Sequence, residues 1–504
     1  MTSILPLPET VLPALGHFHV PAVLSVHAEG EALPEARKFT ERLEKETRIK
    51  VQWQASLPTL TFVLDPHLPE LGPEGYQLSV HKTRLEIRAW GVAGLFYGSM
   101  SLLQLLRSGG PVPCQQVMDR PRFRWRGLML DVARHFMPVS SILVWLDVLA
   151  ELKMNTFHWH LTDDQGWRIP VSAFPRLTEV GGWRKETLIG HYEDQPWTFD
   201  GTPHGGVYTP DDIQQVIQYA QERFITVIPE IELPGHAQAA LAAHPEFGSG
   251  EGTEVLTSWG ISERVFHPRA TTLDFLNTVL LEVTEMFPSP YVCIGGDECP
   301  TTEWENSPEM HQLAQDLGLE SVKGLQGYVT RSVSETLEKA GKKVCGWEEI
   351  LQDGLSENTV GLIWLHAEKA REAVQKGHPI VVCHHSHLYL DYYQSGAPEL
   401  EPLAQGGCLP LEKVYQYDPM PAGLTDIEKQ RVLGVQTNLW TEYLPTPEHT
   451  EYMLFPRLFA VAEMCWTPQE RRNLEGFLQR IPEQLQHLQR KGIRFRPHLA
   501  AFSR

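Results

Sequence analysis

Runs of about 18 consecutive apolar residues are missing from the sequence, so no membrane-spanning helix is expected. Clusters of basic residues are missing too. With 43 Lys and Arg against 63 Asp and Glu, the chain carries a formal charge of −20. The electrostatic footprint that a phosphate backbone requires is therefore lacking, and nucleic acid is not an expected partner. A field of this sign also repels strongly anionic polymers and leaves neutral substrates as the better fit. The opening residues, MTSILPLPETVLPALG, have no basic n-region and are broken by Pro6, Pro8 and Pro13, which suits neither a signal peptide nor a membrane anchor. Cysteine is sparse and odd in number, seven in all. Cys293, Cys345 and Cys383 fall in apolar, strand-like runs where they read as small packing residues. A reducing cytoplasm is the expected location. Internal repeats and low-complexity tracts are also absent.

What is present is globular. Hydrophobic residues make up 42% and charged residues 21%, enough apolar material for a sizeable core. At 504 residues the chain exceeds what one core usually holds, so one large and one small domain are expected. Residues 1–118 combine a polar helical stretch (33–46), short alternating runs at 59–65, 76–81 and 84–90, and an apolar helix ending in MSLLQLL (100–106). These read as a small α+β domain. The turn-rich segment 107–125 reads as a boundary. Residues 119–504 read as the second domain, ending in a helical tail from Pro468 to about Arg490.

Beyond Arg126 short apolar runs alternate with helical segments, the pattern of βα units on a parallel sheet. Eight runs can be counted: 127–133, 155–161, 225–233, 291–298, 342–347, 359–365, 379–390 and 432–440. Eight closes a (β/α)8 TIM barrel, whose chemistry sits at the C-terminal ends of the strands. Those ends are polar and aromatic. The first leads to Asp131, Arg134 and His135, the second to Asp163, Asp164, Gln165 and Trp167, and the third to Glu230, Glu232 and His236. The fourth gives Asp297 and Glu298; the rest give Trp347 with Glu348, Trp364, Tyr389 with Asp391, and Trp440 with Glu442. Aromatic faces suit the C–H faces of a pyranose, while carboxylates and guanidinium groups suit its hydroxyls. Trp347, Trp364, Trp440, Tyr389, Arg134 and Glu442 thus form a candidate monosaccharide pocket.

The sharpest feature is IGGDECP (294–300), two glycines followed by two adjacent carboxylates. Two-carboxylate glycosidases set their acids about 5 Å or more apart on either side of the scissile bond. Neighbouring residues with different roles point instead to a one-sided arrangement in which the substrate supplies the nucleophile. His158 with His160, and HHSH (384–387), are dense in histidine but lack a Cys or carboxylate set at ligand spacing, so no metal and no cofactor is expected.

RFRWRGLMLDVARHFMP, HWHLTDDQGWRI, IPEIELPGHAQAAL, IGGDECP, GWEEIL, LYLDYY and NLWTEY, in this order, resemble glycoside hydrolase family 20, the β-N-acetylhexosaminidases. The resemblance runs from about residue 58 to the C-terminus and takes in EGYQLSV and GLFYGSMSLLQLL. It implies a catalytic barrel behind a small α+β domain, and a retaining, substrate-assisted mechanism through an oxazolinium ion, an exception to the two-carboxylate rule. By resemblance Glu298 is the general acid and base, and Asp297 orients the acetamido group. Tyr389 bonds the acetamido oxygen, Trp347, Trp364 and Trp440 enclose the ring and methyl, and Arg134, Asp391 and Glu442 bind hydroxyls. Asp163 and His236 form a relay beside Glu298. One position departs from the pattern: Cys293 stands where the family often has His, so it is expected to pack and a supporting hydrogen bond is in doubt. Partners implied are oligosaccharides ending in β-linked GlcNAc or GalNAc, with self-association open. The alternatives are a lacto-N-biosidase-like member that releases a disaccharide, a metal-dependent barrel hydrolase, and a catalytically silent sugar-binding protein.

Overall fold

A computed structural model describes residues 2–53, 57–351 and 355–497. The small domain is a seven-stranded mixed sheet made of β1 (Thr10–Phe18), β2 (Val23–Ala28), β3 (Lys50–Trp53), β4 (Leu60–Leu64), β5 (Tyr76–Val80), β6 (Leu85–Ala89) and β7 (Val112–Asp119). They lie in the order β1-β7-β5-β6-β4-β2-β3. Helices α1 (Ala32–Glu46) and α2 (Val92–Arg107) pack on it. Alternation explains β5 and β6, where every second residue is buried.

β7 corrects the reading of 107–125 as turn and boundary only. Its alternation is hidden by Pro111 and Pro113. Pro113 lies opposite His17 of β1 and beyond the last residue paired with β5, at Gln115, so the N–H it lacks is not needed on that side. The link to the barrel is therefore the short stretch 120–124.

The barrel closes from β8 (Trp125–Asp131), β9 (Thr156–His160), β10 (Thr226–Glu230), β11 (Tyr291–Cys293), β12 (Lys343–Trp347), β13 (Val360–Ile363), β14 (Ile380–Val382) and β15 (Val432–Leu439), each parallel to its neighbours, with β15 returning to β8. All eight expected runs are barrel strands. They are buried along nearly their whole length because parallel strands under helices are covered on both faces. In β9, His158 and His160 face the barrel interior, while Phe157 and Trp159 face outward, Trp159 packing on Tyr208 and Phe287. The interior is filled by Trp125, Met129, Ile228, Cys293, Cys345, Leu362, Val381 and Cys383, where thiols fit better than larger side chains.

The run 379–390 is only partly strand. β14 stops at Val382, one helical turn covers His385–Leu388, and Tyr389 rejoins the barrel through a bridge to Asn438. Helices expected at 273–287 and 327–341 are α3 (Ala270–Met286) and α4 (Gly324–Lys339), and the tail ends in α5 (Leu474–Arg490). Two ion pairs join the two domains: Arg126, buried, to the half-buried Glu74 at 2.6 Å, and Lys153 to Asp119, both buried, at 3.2 Å. Among the described residues no helix is long and apolar enough to cross a membrane.

Candidate active site

Just past β11 the chain turns sharply. Gly295, Gly296 and Glu298 all have positive φ, at 60°, 91° and 47°. For a glutamate this is a sparsely populated conformation, held by its surroundings. Gly295 is obligatory twice over, since a Cβ there would lie 1.7 Å from Glu232 Oε2. That carboxylate also accepts the Gly296 N–H at 3.2 Å, so Glu232, a strand-end candidate, serves as the clamp on this turn. The turn buries Asp297 and leaves Glu298 exposed at the mouth.

His236 joins the two acids. Its Nε2 is 3.7 Å from Asp297 Oδ2 and 3.6 Å from Glu298 Oε2, and its Nδ1 donates to Asp163 Oδ1 at 3.1 Å. Burial opposes a charge on this imidazole, but Asp163, with Asp164 and Glu298 also close by, holds its pKa well above the usual histidine value. Asp163 is held well below the carboxylate range: burial works against this, and Arg134 and His236 outweigh it. Asp297 moves the other way, pushed up to about 6 by burial and by the charge of Glu298, with His236 opposing.

The chain of contacts behind His236 runs deeper than the sequence suggests. His160 donates from Nε2 to Asp163 Oδ2 at 2.9 Å and from Nδ1 to Glu230 Oε2 at 2.5 Å. Burial resists this double protonation, yet Glu230 and Asp163 raise the imidazole to about 10. Behind it, Cys293 donates its thiol to Glu230 Oε1 at 3.2 Å. That corrects the expectation for Cys293: it packs, and it also keeps a hydrogen bond at the position where the family often has His. His158 Nε2 lies 3.1 Å from Glu230 Oε2, and its Nδ1 lies 3.0 Å from Gln436 Nε2.

The expectation that His158 and His160 lack a partner set is also corrected. Neighbouring strands bring Glu230 and Cys293 to His158, and Glu230 and Glu232 to His160, within ligand distance of one another. Spacing along one strand cannot show this, because the partners come from the third and fourth strands. In HHSH, by contrast, His384 and His387 bond Ser386, and His387 stacks on Tyr417.

The aromatic residues meet as a cage. Trp347 is fully buried, with its ring centroid 6.4 Å from Trp364 and 5.8 Å from Trp440; Tyr389 stacks near-parallel to Trp364 at 6.1 Å and lies 6.3 Å from Trp440. Arg134 stands over the Trp440 ring at 5.0 Å. It binds Gln165 Oε1 at 2.9 Å and Asp163 Oδ2 at 2.9 Å, and lies 3.6 Å from Glu442. Asp391 is buried with neither carboxylate oxygen hydrogen-bonded. Burial and the charge of Glu442 push it well above its usual range. A buried carboxylate without donors is poised for a ligand that brings them, as sugar hydroxyls do.

Of the two glutamates after Trp347, position at the strand end points to Glu348. The structure turns Glu348 away, where it accepts the N–H groups of Trp364 and Leu365 at 3.0 and 3.1 Å and bonds His366 Nδ1. Glu349 is the one beside the cage, accepting from Trp364 Nε1 at 3.2 Å, with its carboxyl raised to about 7 by burial and by Asp297. Adjacent identical residues on a helical turn carry no sequence signal to tell them apart.

Residues 123–469 match the profile described as glycosyl hydrolase family 20, catalytic domain, and residues 1–120 match glycosyl hydrolase family 20, domain 2. The chain is 37% identical over 511 residues to a beta-hexosaminidase of Porphyromonas gingivalis, across 98% of this chain and 64% of that one. It thus spans just under two thirds of that relative's length. To a beta-hexosaminidase of Vibrio furnissii it is 36% identical over 469 residues, 91% of this chain and 76% of the relative. Its fold superposes on an exo beta-N-acetylglucosaminidase from Vibrio harveyi, solved in complex with N-acetylglucosamine, with a TM-score of 0.88 at 34% identity over 98% of this chain and 78% of that chain.

Proposed function

The chain belongs to glycosyl hydrolase family 20, and from that premise we propose that it is a retaining exo-β-N-acetylhexosaminidase releasing terminal, non-reducing β-linked GlcNAc or GalNAc by substrate-assisted catalysis. The observation that carries the reading is the one-sided acid pair. Asp297 and Glu298 leave a single turn and share His236, so neither is set across a sugar ring from the other as an enzyme nucleophile and its acid would be. The aromatic cage beside them suits an acetamido group, which can attack C1 from within the substrate.

In the first step Glu298 gives its proton to the glycosidic oxygen as the acetamido carbonyl oxygen bonds to C1 and the C1–O bond breaks. The aglycone departs as an alcohol and an oxazolinium ion remains. Asp297 accepts the acetamido N–H and offsets the positive charge, while Tyr389 donates to the acetamido oxygen. In the second step Glu298, now a carboxylate, takes a proton from water as that water attacks C1, and the ring opens with net retention. Each attack inverts C1, so two restore it. His236, charged and anchored on Asp163, opposes the upward shift of Asp297 and so favours the carboxylate that faces the cation. Trp347, Trp364 and Trp440 hold the amide near attack geometry, where intramolecularity contributes several kcal/mol.

The test is a series of aryl glycosides bearing mono-, di- and trifluoroacetamido groups. Fluorine withdraws electron density from the attacking oxygen with little change in size, so kcat/KM is expected to fall progressively. A thiazoline analogue of the intermediate is expected to inhibit. A flat series with no thiazoline inhibition would overturn substrate assistance. Undiminished turnover after exhaustive chelation is expected, and its loss would favour the metal-dependent alternative.

A further inference from the structure

Between β9 and β10 the chain throws out a two-rung hairpin. Trp183–Arg184 pairs with His204–Gly205, and Leu188–Ile189 pairs with Thr198–Phe199. Its contacts are selective. Arg184 donates to the carbonyl of Arg134 at 2.6 Å. His191 Nε2 bonds the carbonyl of Gln405 at 3.1 Å, and Gln405 in turn donates its N–H to the carbonyl of Asp391 at 3.1 Å. The ring of His191 stacks on Tyr443 at 4.9 Å and 8°, and Tyr192 donates its N–H to Tyr443 Oη at 3.1 Å. Tyr443 follows Glu442 directly. Leu188 and Phe199 pack with Trp259 and Tyr443 in a small core of their own.

One insertion therefore backs the segments that bear Arg134, Asp391 and Glu442. The acid end is braced by other residues: His236 lies beside Asp297 and Glu298 and bonds Asp163, which Arg134 also reaches at 2.9 Å, and Glu232 holds the Gly296 turn. Charge follows the same division. Glu442 is the leading charged neighbour of Asp391, and Glu298 is the leading carboxylate beside Asp297. A sugar lying between the two ends has C1 at the acids and its remote hydroxyls at the hairpin side. Any further sugar on the non-reducing end must be attached to one of those hydroxyls and must extend past them.

We infer that the hairpin 183–205 is the specificity wall that restricts release to a single sugar: it fixes the three hydroxyl-binding residues and blocks the path of a non-reducing extension. The inference rests on the proposed function, in that it takes Arg134, Asp391 and Glu442 as binders of the terminal sugar. The substrate class excluded is a β-linked disaccharide unit whose N-acetylhexosamine carries another sugar on a remote hydroxyl.

The test replaces residues 190–197 by Asn-Gly, which keeps the Leu188–Ile189 and Thr198–Phe199 rung closed by a tight two-residue turn. p-Nitrophenyl β-GlcNAc and p-nitrophenyl β-lacto-N-bioside are assayed side by side. For the truncated enzyme KM on the monosaccharide glycoside is expected to rise about tenfold with kcat little changed, as loss of uniform binding requires. Release of intact lacto-N-biose is expected to rise at least tenfold above wild type. A second variant, His191→Ala with Tyr443→Phe, removes the clasp without shortening the chain and decides the matter if the truncation does not fold. Unchanged KM and no gain in disaccharide release from a folded variant overturn the inference. Failure of the wild-type enzyme on p-nitrophenyl β-GlcNAc would instead strike the proposed function.

Discussion

Replacing Cys293 by Ala removes two things that the structure separates. One is volume, a buried sulfur inside the barrel next to Cys345; deleting a group of that size from a core costs about 1 kcal/mol or somewhat more. The other is a donor. The thiol is 3.2 Å from Glu230 Oε1, a carboxylate that burial would neutralise but that His158 and His160 hold well below its usual range. Leaving a buried charged acceptor short of one hydrogen bond costs about 1–3 kcal/mol. The expected sum for Cys293→Ala is about 2–4 kcal/mol, more than the lost volume alone would cost. Cys293→Ser keeps a donor in a slightly smaller group, so it is expected to cost only about 1 kcal/mol. Between the thiol and Glu298 stand Glu230, His160, Asp163 and His236, so kcat of the Ala variant is expected to stay within about tenfold of wild type. Thermal melts of the three proteins at matched concentration and pH, with kcat on an aryl glycoside, check both parts. Equal destabilisation by Ala and Ser would refute the hydrogen-bond argument. A collapse of kcat in a folded Ala variant would refute the claim that the thiol stands outside the chemistry.

Three further outcomes are expected. Glu298→Gln should lose most turnover on substrates with poor leaving groups and far less on activated aryl glycosides, because an acid matters in proportion to the leaving group's need for a proton; equal losses on both would contradict its role. On the proposed mechanism Asp297 must be ionised to face a cationic centre, and its pKa is raised to about 6, so kcat/KM should fall as pH drops through about 6. Asp297→Asn should lower kcat more than it raises KM and remove that acid limb; an unchanged pH profile would assign the limb elsewhere. Asp163→Asn strips the carboxylate from three buried donors, His236, His160 and Arg134, and should cost about 3–5 kcal/mol at neutral pH. Since the folded-state pKa of Asp163 is depressed, its contribution is fully present above the unfolded value near 3.9 and is lost as pH falls through the folded one. The gap between wild type and Asp163→Asn should therefore narrow in acid, and a gap independent of pH would speak against the ion cluster.

The barrel is legible in the sequence and much of the small domain's sheet is not, for a physical reason. Barrel strands are buried on both faces and lie between amphipathic helices, so each of the eight shows as an apolar run. β1 and β3 form the two edges of the small sheet. Six successive residues of β1 are exposed, and it includes Pro13 and Gly16, while β3 begins with an exposed lysine. Edge strands that face water have no reason to keep a hydrophobic period, while β7, buried at nearly every second residue, has its period masked by Pro111 and Pro113 at its start.

At the site, what could be read was position along the barrel: residues at strand ends converge because closure brings the ends together, and the cage of Trp347, Trp364, Trp440 and Tyr389 follows from that alone. Direction could not be read. Glu348 and Glu349 occupy neighbouring places, yet one spends its lone pairs on backbone N–H groups and the other faces Trp364 and Asp297. Glu230 and Glu232 lie two apart on one run, yet the first completes an ion cluster with His160 and the second clamps Gly296. In each pair the role is set by a donor that arrives from another strand, up to 70 residues away in the case of His160 and Glu230. A carboxylate's chemistry is decided by how many donors it already has. Asp163 and Glu230 already hold charged or thiol donors, whereas Asp391 has none, which is why the proposed function gives it the hydroxyls of the substrate.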